Sequence, residues 1–509
     1  MDSIRRFLKS SLVSQQIHFS TLLFCTILAG CAGPTGDSPQ PLDGLACSSA
    51  LSSEGGSPEE AEQVESASTE PDINLDPSYD SFIVQFSDNE PTEGLQPSGN
   101  PVREYRVAGV TLTQIQGKTY SLDLRQVSSR QDVIARLAQE RPIRYVEPDY
   151  PITQRDDLVE EELDSQDLAN LDPEFPADDS LQYHAASRAS EQWHLPKVQA
   201  SQAWQSTRGA SDVVVAVVDS GIDYTHQDLK NNIWMNSSEQ LNGRDDDNNG
   251  YVDDIRGWNY VNNNNNPKTT SQSNHGTHVA GIIGAAGNVL GVAQQVKLMP
   301  LRFIGESGSG LTSSAIRAID YAVQKRVFAI NNSWGSSNRS RALQDAITRA
   351  ERAGVLFVVA AGNGSNGVGY NISTRPYYPA AYTNSNILRV AATRTNDLLT
   401  AFSNYGQKLV DVAAPGSSIL STVTGNRYMR MSGTSMATPL VTGLAVLVKA
   451  ANRGLSAYQV RAIINSSVDV VPGLRTLVRS GGRVNARKAV TMALGAAPNT
   501  PLPVPNCLN

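Results

Sequence analysis

The hydrophobic and polar pattern changes character twice along the chain. Up to about residue 77 there is one short apolar stretch, Thr21-Leu22-Leu23-Phe24-Cys25-Thr26-Ile27-Leu28, within otherwise polar sequence. From Ser81 to Ile152 short apolar runs alternate with polar ones. Phe82–Phe86 and Tyr120–Leu124 predict strands, Gln131–Glu140 predicts an amphipathic helix with Val133, Ile134, Leu137 and Ala138 on one face, and Ile143–Asp149 predicts a closing strand. That order suits a small α+β, ferredoxin-like unit and does not by itself specify a function. From Glu191 to Leu494 continuous apolar runs of strand length (Val213–Val218, Val296–Phe303, Val327–Ile330, Val355–Val359, Leu388–Ala391, Leu409–Val412) alternate with helical patterns at Ser313–Lys325, Arg341–Ala353 and Thr438–Lys449. Strands without polar alternation are buried on both faces, so this pattern predicts an α/β domain with a parallel sheet and helices on either side. Such sheets bind and react at the carboxyl ends of their strands.

Composition adds an address. A chain of 509 residues can hold two or three domains, and a net charge of −8 argues against a nucleic-acid surface. Arg5, Arg6 and Lys9 before the short apolar stretch predict a secretory signal over 1–30, since a membrane span needs about 20 apolar residues. Leu28-Ala29-Gly30-Cys31 resembles a bacterial lipoprotein signal, which implies cleavage before Cys31 and lipidation of its thiol. The other reading is an ordinary cleavage site with an incidental cysteine. The expected location is the cell envelope, with release as a soluble form after processing. Residues 31–77, rich in Ser, Glu, Gly and Pro, predict a flexible tether. Asp156–Asp179 has no Lys or Arg and marks an acidic, protease-accessible linker over 153–190 between the 78–152 unit and a 191–495 domain. A Pro-rich tail closes the chain at 496–509. Cys47 and Cys507 remain near its ends, and their pairing is open.

Candidate chemistry gathers on polar residues at the margins of apolar runs. Ser435, in Gly433-Thr434-Ser435-Met436-Ala437-Thr438-Pro439, falls in the first turn of a largely apolar helix, where Pro439 is expected to be tolerated. A hydroxyl at the positive end of a buried helix suits chemistry that develops negative charge, although such a serine can also be a simple cap. Asp219 closes the Val213–Val218 run, His275 opens His275-Gly276-Thr277-His278-Val279-Ala280-Gly281, and Asn363 closes Ala360-Ala361-Gly362-Asn363-Gly364. Taken singly, the Asp can be a cap and the Asn a turn residue. Taken together, Asp, His and Ser in that order with an Asn between them resemble the catalytic blocks of the subtilisin-family serine proteases, the subtilases. The resemblance covers Glu191 to Leu494.

It implies a serine endopeptidase and a monomer. Ser435 would be the nucleophile, His275 its base, Asp219 the orienting carboxylate and Asn363 an oxyanion donor. An extended polypeptide substrate would pair with edges at Ser309-Gly310 and Ser333-Trp334-Gly335, with Ala361, Gly362 and Tyr377–Ala380 bordering a pocket for an apolar or medium-sized side chain. The first unit resembles the family's inhibitory propeptide, and self-cleavage is expected between Tyr150 and Glu191.

Asp245-Asp246-Asp247-Asn248-Asn249-Gly250-Tyr251-Val252-Asp253-Asp254 carries oxygen donors at alternate positions with a Gly at the turn, the opening of an EF-hand-type loop. Arg256 stands where the closing Glu would be, so the expected Ca²⁺ ligands are Asp245, Asp247, Asn249, the Tyr251 carbonyl and Asp254. A solvated acidic turn is the alternative. A further subtilisin-type calcium loop is not expected, because Ala285–Gly291 is too short. His275 and His278 lack the Glu and third ligand of a zinc site. The other functional class is a catalytically silent envelope protein that binds partners, which an active-serine label would distinguish.

Overall fold

The computed structural model describes residues 71–87, 104–107, 109–154, 187–270 and 273–497. The chain divides into Met1–Ala67 and Ser68–Asn509, and the first of these lies outside the described residues. So do the expected signal peptide, Cys31, Cys47, the acidic run 156–179 and Cys507.

The N-terminal part is a six-stranded sheet with one helix. Strands β1 (Asp72–Ile73), β2 (Ser81–Phe86), β3 (Glu104–Val107), β4 (Val110–Gln116), β5 (Thr119–Asp123) and β6 (Ile143–Pro148) lie in the order β1-β6-β2-β5-β4-β3. Helix α1 (Arg130–Glu140) starts at Ser129, whose side chain accepts a hydrogen bond from the Asp132 amide. Val133, Ile134 and Leu137 are buried, whereas Ala138, expected on that face, is exposed. The β3–β4 hairpin is absent from the sequence reading. Its alternation of buried Val110 and Leu112 with exposed Thr111 and its turn at Gly109 (φ 83°) were the available signals. Residues of β2 alternate between two cores. Phe82 and Val84 pack with α1, while Ile83 joins Ile115, Tyr145 and Ile152 in a cluster shared with the following domain.

That domain is built on a nine-stranded sheet: β8 (Gly209–Asp219), β9 (Trp258–Asn259), β10 (Gln295–Arg302), β12 (Ala329–Asn332), β13 (Leu356–Ala360), β14 (Ile387–Thr393), β15 (Val412–Pro415), β18 (Asp469–Val470) and β19 (Gly482–Arg483). The order is β18-β19-β15-β14-β13-β12-β8-β10-β9, parallel throughout except for β18 against β19. Along β8, Val215 and Val217 face a core made with helices α2 (His275–Gly284), α5 (Thr434–Ala451), α6 (Ala457–Ser466) and α7 (Ala486–Gly495). Ala216 and Val218 face the opposite core, made with α3 (Thr312–Gln324) and α4 (Arg341–Arg352). The expected parallel sheet covered on both faces is thus present. The Leu409–Val412 run departs from expectation: the Leu409 and Val410 amides close a turn onto the Gly406 carbonyl, at 2.9 and 2.8 Å, so the strand begins only at Val412.

Among the described residues α5 is the one helix long and apolar enough to cross a membrane, yet most of it is buried inside the domain. Over α2 lies a hairpin, β16 (Ile419–Val423) with β17 (Arg427–Met431), that the apolar runs did not announce. Gly281 permits its close approach, since a Cβ there would stand 2.3 Å from the hydroxyls of Ser421 and Thr422.

Candidate active site

Neighbouring parallel strands β8, β12 and β13 end on Asp219, just before Ser333 and just before Ala361-Gly362-Asn363. The sheet therefore delivers the polar residues to one edge. Helix α2 begins at His275 against the end of β8. Gly276 makes this possible: a Cβ there would lie 2.2 Å from the Gly221 carbonyl oxygen and 3.0 Å from Asp219 Oδ1. The His275 imidazole Nδ1 is 2.8 Å from Asp219 Oδ1, both side chains being buried. The Ser220 amide donates to the same oxygen at 2.7 Å.

Ser435 is the second residue of α5. Its Oγ donates to the Ser333 carbonyl at 3.2 Å, and the Ser333 hydroxyl donates to the Ser435 carbonyl at 2.9 Å. The second bond explains how Pro439 is accommodated. The helix starts at Thr434, so Pro439 lies beyond the first turn, and its missing N–H is the one Ser435 O would have used. Ser333 supplies that hydrogen bond instead. The expectation that Pro439 falls among the free first-turn amides is corrected accordingly.

Asn363 Oδ1 accepts from the Thr434 amide at 3.0 Å and from its hydroxyl at 2.9 Å. A Cβ on Gly433 would stand 3.3 Å from Asn363 Nδ2 and 3.5 Å from the Ser435 amide nitrogen, so the two donors flank one side of Gly433.

The two expected substrate edges face each other with a strand between them. Strand β7 (Pro151–Thr153) pairs antiparallel with β11 (Ser309–Leu311), Thr153 opposite Ser309 and Ile152 opposite Gly310. Thr153 also bridges to Gly335, and the Gln154 amide donates to the Gly308 carbonyl at 3.0 Å. Gly310 and Gly335 admit this backbone where a side chain would meet Phe303 O at 2.4 Å and the Tyr377 ring at 2.3 Å. Gly362 (φ 93°) also abuts the Tyr377 ring, and Ala361 is fully buried beneath it. Trp334 turns its indole inward to the Val218 carbonyl at 2.8 Å, so only its backbone belongs to the edge.

Several partners were not found from sequence. Gln154 reaches the centre itself, its Nε2 lying 2.8 Å from Asp219 Oδ1 and 2.7 Å from His275 Nδ1. Glu147 caps α4, accepting from the Ser340 hydroxyl (2.6 Å) and the Arg341 (2.9 Å) and Ala342 (3.2 Å) amides. Asp149 caps α3 through the Ser313 amide at 2.8 Å and hydroxyl at 2.5 Å. Burial pushes both carboxyls above their usual pKa range, while the cap donors pull the other way. Nothing local in the sequence marks these acids, because their partners lie more than 160 residues away.

In the acidic loop, Glu239, Asp245 and Asp247 bring carboxylate oxygens within 4.8 Å of one another. Glu239 Oε2 and Asp247 Oδ1 are buried without hydrogen-bond partners among the described residues. Burial and the neighbouring Asp254 and Asp247 raise the pKa of Glu239. Asp254 lies beneath, fully buried, bound by Asn236 at 2.7 Å, Asn249 Nδ2 at 2.8 Å and the Tyr321 hydroxyl at 2.6 Å. Asn249 Oδ1 accepts from the Tyr251 amide at 2.7 Å. Glu239 was outside the sequence motif. As for zinc, His278 Nε2 faces the Ile419 and Met429 carbonyls, both at 2.9 Å, and so serves the hairpin.

An imidazole held by a buried carboxylate, a serine at a helix start and paired amide donors all lie at the carboxyl edge of a parallel sheet, the set of groups that serine-hydrolase chemistry calls for. Residues 210–491, more than half the chain, match the model of the subtilase family (peptidase S8), and the chain belongs to that family. It is 38% identical over 293 residues to the thermophilic serine proteinase of Bacillus sp. (strain AK1), covering 57% of this chain and 64% of that protein. Against thermitase of Thermoactinomyces vulgaris it is 37% identical over 306 residues, 59% of this chain and 96% of the relative. Against subtilisin-like protease 1 of Plasmodium falciparum it is 37% identical over 303 residues, 55% of this chain and 43% of the relative. The match thus spans less than two thirds of the Bacillus and Plasmodium proteins. The matched domain is of the serine endopeptidase type.

Proposed function

We propose that the whole protein is an exported serine endopeptidase, made as a zymogen whose N-terminal unit is its own inhibitor and first substrate. One observation carries this reading: an extended strand, Pro151–Thr153, is seated between two backbone edges and leads through Gln154 to the His275–Asp219 pair.

In this reading Ser435 Oγ attacks the carbonyl carbon of the bound peptide while His275 takes its proton, and the carbonyl π electrons move onto the oxygen. Asn363 Nδ2 and the Ser435 amide stabilise that oxyanion. The C–N bond then breaks as His275 returns the proton to the leaving amine, giving an acyl-enzyme. Water, deprotonated by His275, then attacks the acyl carbon, the C–Oγ bond breaks, and His275 returns the proton to Ser435 Oγ as the acid leaves. Asp219 holds the imidazole and stabilises its charged form. The glycines at 308, 310 and 335 favour an extended backbone of varied sequence over a compact ligand.

Ser435→Ala tests the assignment. It should abolish hydrolysis of casein-type substrates and leave the chain uncut; a variant that still matures and digests casein would remove Ser435 from the nucleophile role. With Ser435 intact, Thr153 stands opposite Gly335 in an antiparallel bridge, so position 155, two residues onward from Thr153, corresponds to two residues back from Gly335, at Ser333, the residue that exchanges hydrogen bonds with Ser435. The expected cut is therefore Arg155–Asp156, within the Tyr150–Glu191 interval, and N-terminal sequencing reads it directly.

Structural Ca²⁺ belongs to the same proposal. Two buried, unpartnered carboxylate oxygens in an all-oxygen cluster suit a hard cation, held by Glu239, Asp245 and Asp247. Bound there, the ion would neutralise converging negative charge and fix the loop. The roles of Asn249, Tyr251 and Asp254 as ligands, lipidation of Cys31, envelope anchoring and a monomeric state stand as sequence-based parts of this reading. Mass spectrometry of the mature N-terminus tests the anchor.

A further inference from the structure

Helix α5 contains a buried carbonyl that its own backbone cannot serve. Ser435 O would bond the amide four residues on, and position 439 is a proline. The Ser333 hydroxyl donates to it at 2.9 Å. A hydroxyl has one hydrogen and rotates to suit its surroundings, so something must aim it. Asn331, in β12, stands beside it and is fully buried. Asn331 Nδ2 lies 3.1 Å from Ser333 Oγ, and Asn331 Oδ1 lies 2.8 Å from the hydroxyl of Thr442, two turns along α5.

Counting hydrogens fixes the direction of these bonds. With Nδ2 toward Ser333, the Asn331 amide donates to Ser333 Oγ, whose own hydrogen goes to Ser435 O. Thr442 donates to Asn331 Oδ1. The Thr442 hydroxyl is also 3.1 Å from Thr438 O, a carbonyl that the helix already serves through the amide at 442. With the amide turned over, Oδ1 would take the Ser333 hydrogen. Ser435 O would then face Ser333 Oγ at 2.9 Å with no hydrogen between them. Leaving this carbonyl bare is the larger penalty, because no helix amide stands in for the missing donor.

Ser333 therefore holds Ser435 at two points, since Ser435 Oγ also donates to the Ser333 carbonyl at 3.2 Å. We propose that Asn331 is a positioning residue for the nucleophile. By aiming the Ser333 hydroxyl at Ser435 O, it holds the first turn of α5, and with it the Ser435 amide and Oγ, in the geometry that the reaction needs. The proposal rests on the endopeptidase reading and deepens it. Without the aimed hydroxyl, Ser435 O turns toward another donor, and the amide and Oγ of the same residue turn with it. A misplacement of about 1 Å in a catalytic centre costs on the order of 10²-fold in rate.

Pro439→Ala supplies the test, because it returns the missing backbone donor. Asn331→Ala should lower kcat by about 10- to 100-fold with KM changed less than about twofold. Ser333→Ala, a smaller deletion, should do the same. In a chain that also carries Pro439→Ala, each should lower kcat less than about threefold relative to Pro439→Ala alone. Equal losses in both backgrounds would make Asn331 only a support of the fold, and they overturn the proposal, as does the absence of any loss. A second measurement needs no turnover. In the uncut Ser435→Ala chain, labelled with ¹³C-carbonyl alanine and ¹⁵N-methionine, the peptide group between positions 435 and 436 gives a single signal, since none of the 7 methionines in the sequence follows an alanine. Its carbonyl resonance should move upfield on Asn331→Ala and return when Pro439→Ala is added. A resonance that stays in place overturns the relay. Should the unsubstituted chain fail to cut peptides, the endopeptidase reading falls, while this signal still decides how Asn331 acts on position 435.

Discussion

Glu147 is the most informative residue to remove outside the catalytic centre. Its carboxylate belongs to the N-terminal unit but caps a helix of the following domain, accepting from the Ser340 hydroxyl and the Arg341 and Ala342 amides. Glu147→Ala leaves these three donors facing a site with no acceptor. An unsatisfied buried donor costs about 1–3 kcal/mol. The sum is not the expected effect, because the substitution also relieves the burial of a charge, whose cost is visible in the raised pKa of Glu147. Ser340 also keeps its own cap to the Leu343 amide at 3.0 Å, so α4 itself should persist. The net loss of docking free energy should be about 1–3 kcal/mol, or roughly 5- to 150-fold in the docking equilibrium. The assay is native-state hydrogen exchange in the uncut Ser435→Ala chain. The Gln154 and Thr312 amides bond across the domain boundary, to Gly308 and Tyr150, and do not touch Glu147. Their protection should fall by the same factor. If Arg341 and Ala342 lose protection while Gln154 and Thr312 change less than twofold, the cap is a local contact and contributes nothing to docking.

Three further outcomes are expected. Asn363→Ala should lower kcat by about 10²–10³ with KM little changed, since its amide would act on charge that develops only in the transition state; steady-state kinetics on a peptide substrate reads both. Chelation should lower the melting temperature and calcium alone should restore it, while Glu239→Gln should weaken that calcium response and leave activity at saturating calcium near normal, as thermal scans against calcium concentration will report. The pKa of His194 is pushed down from 6.5 to about 3 by burial, then by Arg430 and His278, and its ring nitrogens have no hydrogen-bond partners among the described residues. Between those values the unfolded chain binds a proton that the folded chain refuses, so stability should fall as pH drops through that window, by a few kcal/mol at most. His194→Leu should flatten that acid limb in denaturant titrations of the Ser435→Ala protein.

Much of this protein is written in short-range pattern. Unbroken apolar runs such as Val213–Val218 have to be buried on both faces, which requires helices on each side and hence a parallel sheet. A polar residue directly after such a run sits at the strand's carboxyl end, so Asp219 and Asn363 are legible in the sequence, as are His275 and Ser435 at the starts of apolar helices. The structure alone decided the pairings between distant segments. Glu147 and Asp149 read as ordinary polar residues around a closing strand, and become helix caps only because that strand docks against α3 and α4. Glu239 joins the acidic loop from outside its motif. Ser333 satisfies the carbonyl that Pro439 leaves bare. Gln154 has no local signature at all and meets Asp219 and His275 only through the seating of β7. The physical reason is common to all five: burial periodicity is a property of neighbours in sequence, whereas the partner of a buried hydrogen-bonding group is set by which surfaces the folded chain brings within 3 Å.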